Sequence, residues 1–405
     1  MLTVRIAWRN IFRQKRRTVL TVLTMFGGFT LSAISIGWAD GTYNRIIDMF
    51  TRNRLGHIQI HAKGYLDRPS LYTWIDDYQE IGNEIQHLSG VEAWAPRLYS
   101  AGLASVGEKS AGVRIIGIDP QRESRATRFE KKVVQGRSFS SQPSHEAILG
   151  KGAAQRLDAK PGEQIVIVSQ GADGSIANDL YSIVGIVESG DPLLDQSAFY
   201  LNLKDAQDLL VLDGRVHEIA VIVKKLSLVS RVVREIRLAL DNPKLDVAPW
   251  QEFARSFYVA MQADKEGNWI MLFVVVMIVA IGVLNTVLMT VLERTREYGV
   301  MRALGTRQIQ VFRLVIVEVA LMAVIGLVIG LGLSLLVNHQ LSIHGIAMPH
   351  PFRYGGVEFT HYYSEVNARS LYIPAITVFF SAILVSIFPA LRAARIAPAR
   401  ALRTH

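Results

Sequence analysis

Four stretches of this chain are long and apolar enough to cross a lipid bilayer. Thr18 to Ala39 runs 22 residues without a charge, Ile270 to Leu292 runs 23, and Leu371 to Leu391 runs 21. Val311 to Val337 runs 27 residues and holds only Arg313 and Glu318. A spanning helix needs about 20 apolar residues. A buried helix of a large soluble core accounts for one such run tolerably, but for four poorly. The expectation is therefore an α-helical membrane protein with four transmembrane helices. A large α+β domain, residues 40–268, is inserted between the first and second.

Lys and Arg near the ends of the runs set the orientation. Residues 1–17 carry Arg5, Arg9, Arg13, Lys15, Arg16 and Arg17. The segment 293–310 carries Arg294, Arg296, Arg302 and Arg307, and the tail 392–405 carries Arg392, Arg395, Arg400 and Arg403. The loop 338–370 has only Arg353 and Arg369, balanced by Glu358 and Glu365. Both termini and 293–310 are thus expected in the cytoplasm, with 40–268 and 338–370 outside. The expected spans are 18–39, 270–292, 311–337 and 371–391. The first run is long for a signal peptide and its basic flank is extended, so an uncleaved anchor is expected.

This sorting changes the meaning of the formal net charge of +9. Alone, that value suggests nucleic-acid binding. Segment 40–268, however, holds 27 basic and 30 acidic residues. The positive excess lies in the segments assigned to the cytoplasm and reads as a topology signal, so no nucleic-acid partner is expected. Cysteine is absent, which excludes disulfides, thiolate metal sites and thiol catalysis.

Within 40–268, alternating apolar residues predict strands at His57–His61, Val113–Ile118, Gln164–Val168, Tyr181–Val187 and Ile219–Val223. Helical spacing appears in Ile75–Leu88, Lys204–Leu210 and Leu226–Leu240. Strands and helices do not alternate strictly, so α+β is expected rather than α/β. A Gly, Ser and Pro cluster near Arg137–Ser144 suggests a division into two lobes. Enzyme motifs fail. Gly102 to Ser110 imitates a phosphate loop, but Glu108 separates Gly107 from Lys109. His145-Glu146 lacks the second His of a zinc helix, Asp173 and Asp179 lack calcium-loop spacing, and His344, His350 and His361 are scattered in one loop. No catalytic or metal-binding residue is assigned.

Two flanking segments are more informative. Val4, Trp8, Ile11 and Phe12 form an apolar face beside a stripe of Arg5, Arg9, Arg13 and Arg16, suited to an anionic lipid surface. After the second run, Leu292 to Thr306 mixes charges with Tyr298, Met301 and Leu304 at helical spacing. Gly305 suits the end of that helix. Such a helix could transmit force from a cytoplasmic partner or simply connect two spans. Glu318 lies inside the third run, where a charge is costly. It could snorkel, pair with Arg313 or face a partner helix. Gly326, Gly330 and Ser334 form a small-residue face suited to close helix contact.

Asn285-Thr286-Val287-Leu288-Met289, then Glu293-Arg294-Thr295-Arg296-Glu297-Tyr298-Gly299 and Arg302-Ala303-Leu304-Gly305, closely resemble the signature of MacB/FtsX-type ABC transporter permeases. The start, Ala7-Trp8-Arg9-Asn10-Ile11 with Lys15-Arg16-Arg17, is similar to that family's. So is the tail, with Pro389-Ala390, Ala393-Ala394, Pro398 and Ala401-Leu402-Arg403. Within the family, Gly190 to Asp195 and Leu203 to Leu210 are most similar to the lipoprotein-releasing LolC/LolE-like branch.

The resemblance implies a non-catalytic permease subunit of the bacterial inner membrane with a periplasmic domain. It would work by mechanotransmission with a separate cytoplasmic ABC ATPase that binds ATP and Mg, and with a second permease chain in a homo- or heterodimer. Glu293, Arg294, Arg296, Glu297, Tyr298, Gly299, Met301, Arg302, Leu304 and Gly305 would couple to that ATPase. Asn285, Glu318, Gly326, Gly330 and Ser334 would pack helices. The cargo would be a lipoprotein or another hydrophobic molecule, with a periplasmic chaperone or outer-membrane component as a further partner. The branch member that docks a chaperone carries a long hook between two strands. Here the corresponding stretch, Ser169 to Leu180, is short and lacks proline, which counts against chaperone docking and against lipoprotein as cargo. The competing readings are an FtsX-like signalling permease that activates a periplasmic partner, and a membrane-anchored binding module without an ATPase.

Overall fold

The computed structural model describes residues 2–13, 15–140, 142–354 and 357–397. The tail positions Pro398, Arg400, Ala401, Leu402 and Arg403 lie outside the described residues. In chain order the structure opens with helices α1 (Leu2–Arg13) and α2 (Lys15–Phe50), a π-helical turn (Thr51–Leu55), strand β1 (Ile58–Ala62) and α3 (Tyr78–Gln86). Then come β2 (Val91–Val106), β3 (Lys109–Ile118), α4 (Pro120–Thr127), β4 (Val133–Gly136), β5 (Glu146–Gly150), α5 (Lys151–Leu157), β6 (Gln164–Gln170) and β7 (Ile176–Val187). Next are α6 (Pro192–Asp195), β8 (Ala198–Asn202), α7 (Leu203–Leu210), β9 (Glu218–Val223), α8 (Val229–Leu240), β10 (Leu245–Pro249) and α9 (Trp250–Phe253). The chain continues with α10 (Arg255–Glu293), α11 (Thr295–Ala303), α12 (Gln308–His344), β11 (Ile346–Tyr354), β12 (Val357–Tyr362) and α13 (Ala368–Ala394).

Two compact units divide these elements. One contains residues 1–43, 262–348 and 361–405, and the other contains Asn44–Met261 with Pro349–Thr360. Four helices are long and apolar enough to cross a membrane: Lys15–Leu55, Arg255–Glu293, Gln308–His344 and Ala368–Ala394. Each extends beyond the apolar run that predicts it.

On α10 and α13 of the helical unit the usual size order of a soluble core is inverted. On α10 the buried stripe is Val275, Val279, Val283, Val287 and Val291, at a strict four-residue spacing. The bulky Phe273, Met277, Ile278 and Ile281 face outward. On α13 the buried stripe is Ser370, Pro374, Val378, Ala382, Ser386 and Ala390. Lipid is as apolar as leucine, so helices associate through close contact of small residues, and large side chains serve the lipid face. Gly282 of α10 meets Thr24 of α2: a Cβ there would lie 2.8 Å from Thr24 Cγ2.

The second unit is built on one mixed ten-stranded sheet, in the order β10-β1-β9-β2-β3-β8-β5-β7-β4, with β6 pairing to β2 and β7. Only the β3–β8 and β5–β7 pairs are parallel. Lone parallel pairs in an otherwise antiparallel sheet fit the α+β expectation. All five predicted strands are present. Ile75 corrects the predicted helix Ile75–Leu88: it bridges to Val216, and the helix starts at Tyr78. The division near Arg137–Ser144 is also corrected. β4 precedes that cluster and β5 follows it, and both pair with β7 in the same sheet.

The longest strand, β2, escapes the sequence pattern because Pro96 and Gly102 interrupt it. Gly102, the first residue of the phosphate-loop imitation, serves the sheet. A Cβ there would sit 2.6 Å from the Val168 carbonyl oxygen of β6. The imitation is the β2–β3 hairpin, turning at Gly107 with φ +56. Ser169 to Leu180 is likewise a plain hairpin, closed where the Gly171 N–H donates to the Ser175 carbonyl at 2.9 Å.

A buried ion network sits at the centre of this sheet. Arg97 of β2 lies directly opposite Glu218 of β9. Its Nη1 donates to Glu218 Oε1 at 2.9 Å, and its Nε and Nη2 donate to Glu123 at 3.0 and 2.7 Å. Asp119 caps α4 by accepting from the Gln121 and Arg122 amides, with Pro120 at the first position, and so aims Glu123 at Arg97. Burial works against the charge on both groups, but each partner outweighs it. Arg97 is held above its usual pKa range and Glu123 below its own.

Candidate coupling site

The segment between α10 and α12 forms an elbow. Arg294, at φ −91 and ψ 12, interrupts the helix, yet hydrogen bonds continue across it from the Arg294 N–H to the Thr290 carbonyl and from the Tyr298 N–H to the Arg294 carbonyl. α11 ends at Ala303, and Gly305 takes φ +93. That conformation is open to glycine at little cost. Gln310 then accepts from the Arg307 N–H at 2.8 Å and starts α12.

The elbow rests on a buried polar knot. Arg294 is 7% exposed, and its Nη1 donates to both oxygens of Glu318 at 3.1 Å. Its Nε donates to Glu297 at 2.9 Å, and its guanidinium lies 5.2 Å from the centre of the Tyr298 ring. Asn10 of α1 donates to Glu318 Oε1 at 2.6 Å. Burial opposes the charge on Arg294, while Tyr298, Glu318 and Glu297 outweigh it and raise its pKa. Two more exposed pairs surround the knot. Arg13 reaches Glu297 at 3.3 Å, and Arg17 pairs with Glu293. Residues from α1, α2, α11 and α12 thus converge here.

The apolar set Tyr298, Met301 and Leu304 does not act as one face. Tyr298 is fully buried, Met301 packs half-buried on the core, and Leu304 is 83% exposed. Gly299 is buried, and Arg302 is half-buried with Nη1 donating to the Thr306 carbonyl. The outward face carries Arg296, Val300, Leu304 and Gly305, continued by Ile309.

Glu318 finds Arg294 and Asn10 rather than Arg313, which is exposed. Gly326 lies against Met25, Phe26 and Val22 of α2, and Gly330 against Phe29 and Thr30. Ser334 is buried in the same line. Asn285 is exposed on the outward face of α10, so it does not pack the helices of this chain against one another. On α1, Ala7 and Ile11 are buried, while Val4, Trp8 and Phe12 face outward and Trp8 meets Phe12 edge-on. Residues missed by sequence reasoning are Asn10, Arg13 and Arg17 as partners of the elbow. Asn10 stands in the N-terminal motif, but no spacing rule links it to a carboxylate 308 residues away.

Residues 18–239 match the MacB-like periplasmic core domain, and residues 269–398 match the FtsX-like permease C-terminal domain. The lipoprotein-releasing system transmembrane protein LolC of Neisseria meningitidis serogroup B is 22% identical, covering 98% of this chain and 98% of that protein. LolE of Haemophilus influenzae is also 22% identical, over 99% of each. The macrolide export ATP-binding/permease protein MacB of Campylobacter jejuni is 23% identical over 98% of this chain and 60% of its own length. Among solved structures, the periplasmic region of MacB from Actinobacillus actinomycetemcomitans covers 49% of this chain and 91% of that one, at 16% identity and TM-score 0.37.

Proposed function

The chain belongs to the MacB/FtsX-type family of ABC transporter permeases, and from that premise we propose that α11 is the docking element for a separate cytoplasmic ABC ATPase. The observation that carries this reading is the elbow itself. It offers Arg296, Val300 and Leu304 outward while the Arg294–Glu318–Asn10 knot holds its inner side. Arginine is enriched among interface anchors, and the exposed apolar run of Val300, Leu304 and Ile309 beside it marks an interaction surface. In this reading the ATPase subunit binds ATP and Mg.

Movement of α11 is passed to the helices joined at the knot. α2 and α10 are each one helix with residues in both compact units. The knot and the termini lie on the cytoplasmic side of the bacterial inner membrane, and α1 lays Val4, Trp8 and Phe12 against lipid. Asn285 points to a second permease chain, because an amide exposed on a membrane helix is stabilised by hydrogen bonding across a helix interface. The cargo class we assign is a hydrophobic molecule; among the relatives, LolC and LolE are named for lipoprotein release and MacB for macrolide export.

The test is co-purification of the full chain with its ABC ATPase. Leu304→Glu with Arg296→Glu should cut ATPase retention and permease-dependent ATP hydrolysis at least about tenfold, as expected for an anchor at an interface centre. Unchanged retention and hydrolysis would refute α11 as the docking element. A purified chain that binds no ATPase but activates a periplasmic hydrolase would favour the signalling reading.

A further inference from the structure

A cavity of about 300 Å³ opens within the sheet unit. Its walls come from β2, β3, α4, the Thr51–Leu55 turn and the segment around α6. Four cationic side chains line it: Arg54, Arg97, Arg114 and Lys132. Only two carboxylates do, Glu123 and Asp191.

The ion pairs distribute unevenly. Arg97 takes Glu123 and also Glu218 from behind the wall, so its charge is fully met. Arg54 pairs with Asp191, but its buried Nε has no hydrogen-bond partner. Arg114 and Lys132 have no carboxylate partner among the described residues. The Arg114 guanidinium lies 4.7 Å from the centre of the Tyr99 ring. Lys132 donates to the Asn53 carbonyl. A half-buried ammonium that no carboxylate pairs with directly is costly. The rest of the wall combines the apolar Ile116, Phe129 and Leu194 with the polar Asn53, Ser189 and Ser197.

We propose that this cavity binds a small organic oxyanion, a phosphate or carboxylate head on an apolar or aromatic body. The head would sit between Arg114, Lys132 and the free Nε of Arg54, where charge-assisted hydrogen bonds are strongest. The body would lie against Ile116, Phe129 and Leu194. The volume falls at the low end for small-molecule sites, about 300–1,000 Å³. Burial, with Arg97 and Arg54 close by, pushes the Lys132 ammonium down to about 8 despite Glu123 and Asp195. Binding should therefore weaken as pH rises through 8, where this cation is lost. The proposal does not depend on the ATPase reading.

The experiment uses the full chain in dodecyl maltoside and follows phenyl phosphate, a water-soluble probe, by phosphorus-31 line broadening. The expected result is saturable binding, weakened about tenfold or more by Arg114→Gln and by Lys132→Gln. Lys132→Arg should retain it, and neutral benzyl alcohol should not displace it. Arg114 is an exposed residue of β3, so R114Q should keep the wild-type thermal midpoint and remain decisive even if K132Q fails to fold. The proposal is overturned if phenyl phosphate does not bind, if benzyl alcohol displaces it, or if R114Q binds like wild type. It is also overturned if inorganic phosphate binds as tightly, since the apolar wall would then contribute nothing.

Discussion

Arg97 and Arg294 are both buried arginines that hold two glutamates, yet they occupy opposite kinds of place. Arg97 and Glu218 are cross-strand neighbours, and Glu123 comes from a capped helix packed on the same sheet. All three side chains are about equally buried. Arg294 sits at a break between helices. One of its partners, Glu318, is buried, while the other, Glu297, is 41% exposed and shared with Arg13. The first network is held between two paired strands and the helix packed on them. The second passes from the interior to the surface and joins elements far apart in sequence. The difference teaches that burial alone does not separate a structural staple from a joint. What separates them is whether the partners can move independently.

The largest effect should come from Arg97→Met. It leaves two carboxylates facing each other without a cation, a class of change that costs about 3–5 kcal/mol. Thermal unfolding of the purified chain, with protease sensitivity of the sheet unit, measures it. A midpoint near wild type would mean that Arg97 is no staple. Glu318→Gln should cost less, about 1.5–3 kcal/mol, because Arg294 keeps Glu297 and loses one charged acceptor. Its sharper readout is permease-dependent ATP hydrolysis, which should fall while the sheet unit stays protease-resistant. Equal loss of both would erase the contrast between staple and joint. Arg13→Ala should change the thermal midpoint least, by under about 1 kcal/mol, since the Arg13–Glu297 pair is largely solvated. A larger shift would move the rim of the joint into its load path.

Much of the helical unit was legible from local pattern. The apolar runs located all four spanning helices, though not how far α2 and α10 extend beyond them. In the sheet unit, alternation located β1, β3, β6, β7 and β9. It missed β2, where Pro96 and Gly102 break the pattern but pairing to β9, β3 and β6 holds the strand. The coupling segment was visible as a charged helix between two spans, yet its faces were not. Tyr298 and Leu304 share a helical spacing, but one is buried and the other open.

By itself, then, the sequence determined what depends on neighbours along the chain: the helical spans, the α+β class of the insert and the uneven placement of basic residues. These follow from transfer of local segments between water, lipid and hydrogen-bonded backbone. Only the tertiary structure decided that Glu318 meets Arg294 and Asn10 rather than Arg313, that Asn285 faces outward, and that Arg114 and Lys132 line one cavity with no carboxylate paired to either among the described residues. Those facts depend on which distant residues are brought within about 3–5 Å, the range where Coulomb and hydrogen-bond energies are large.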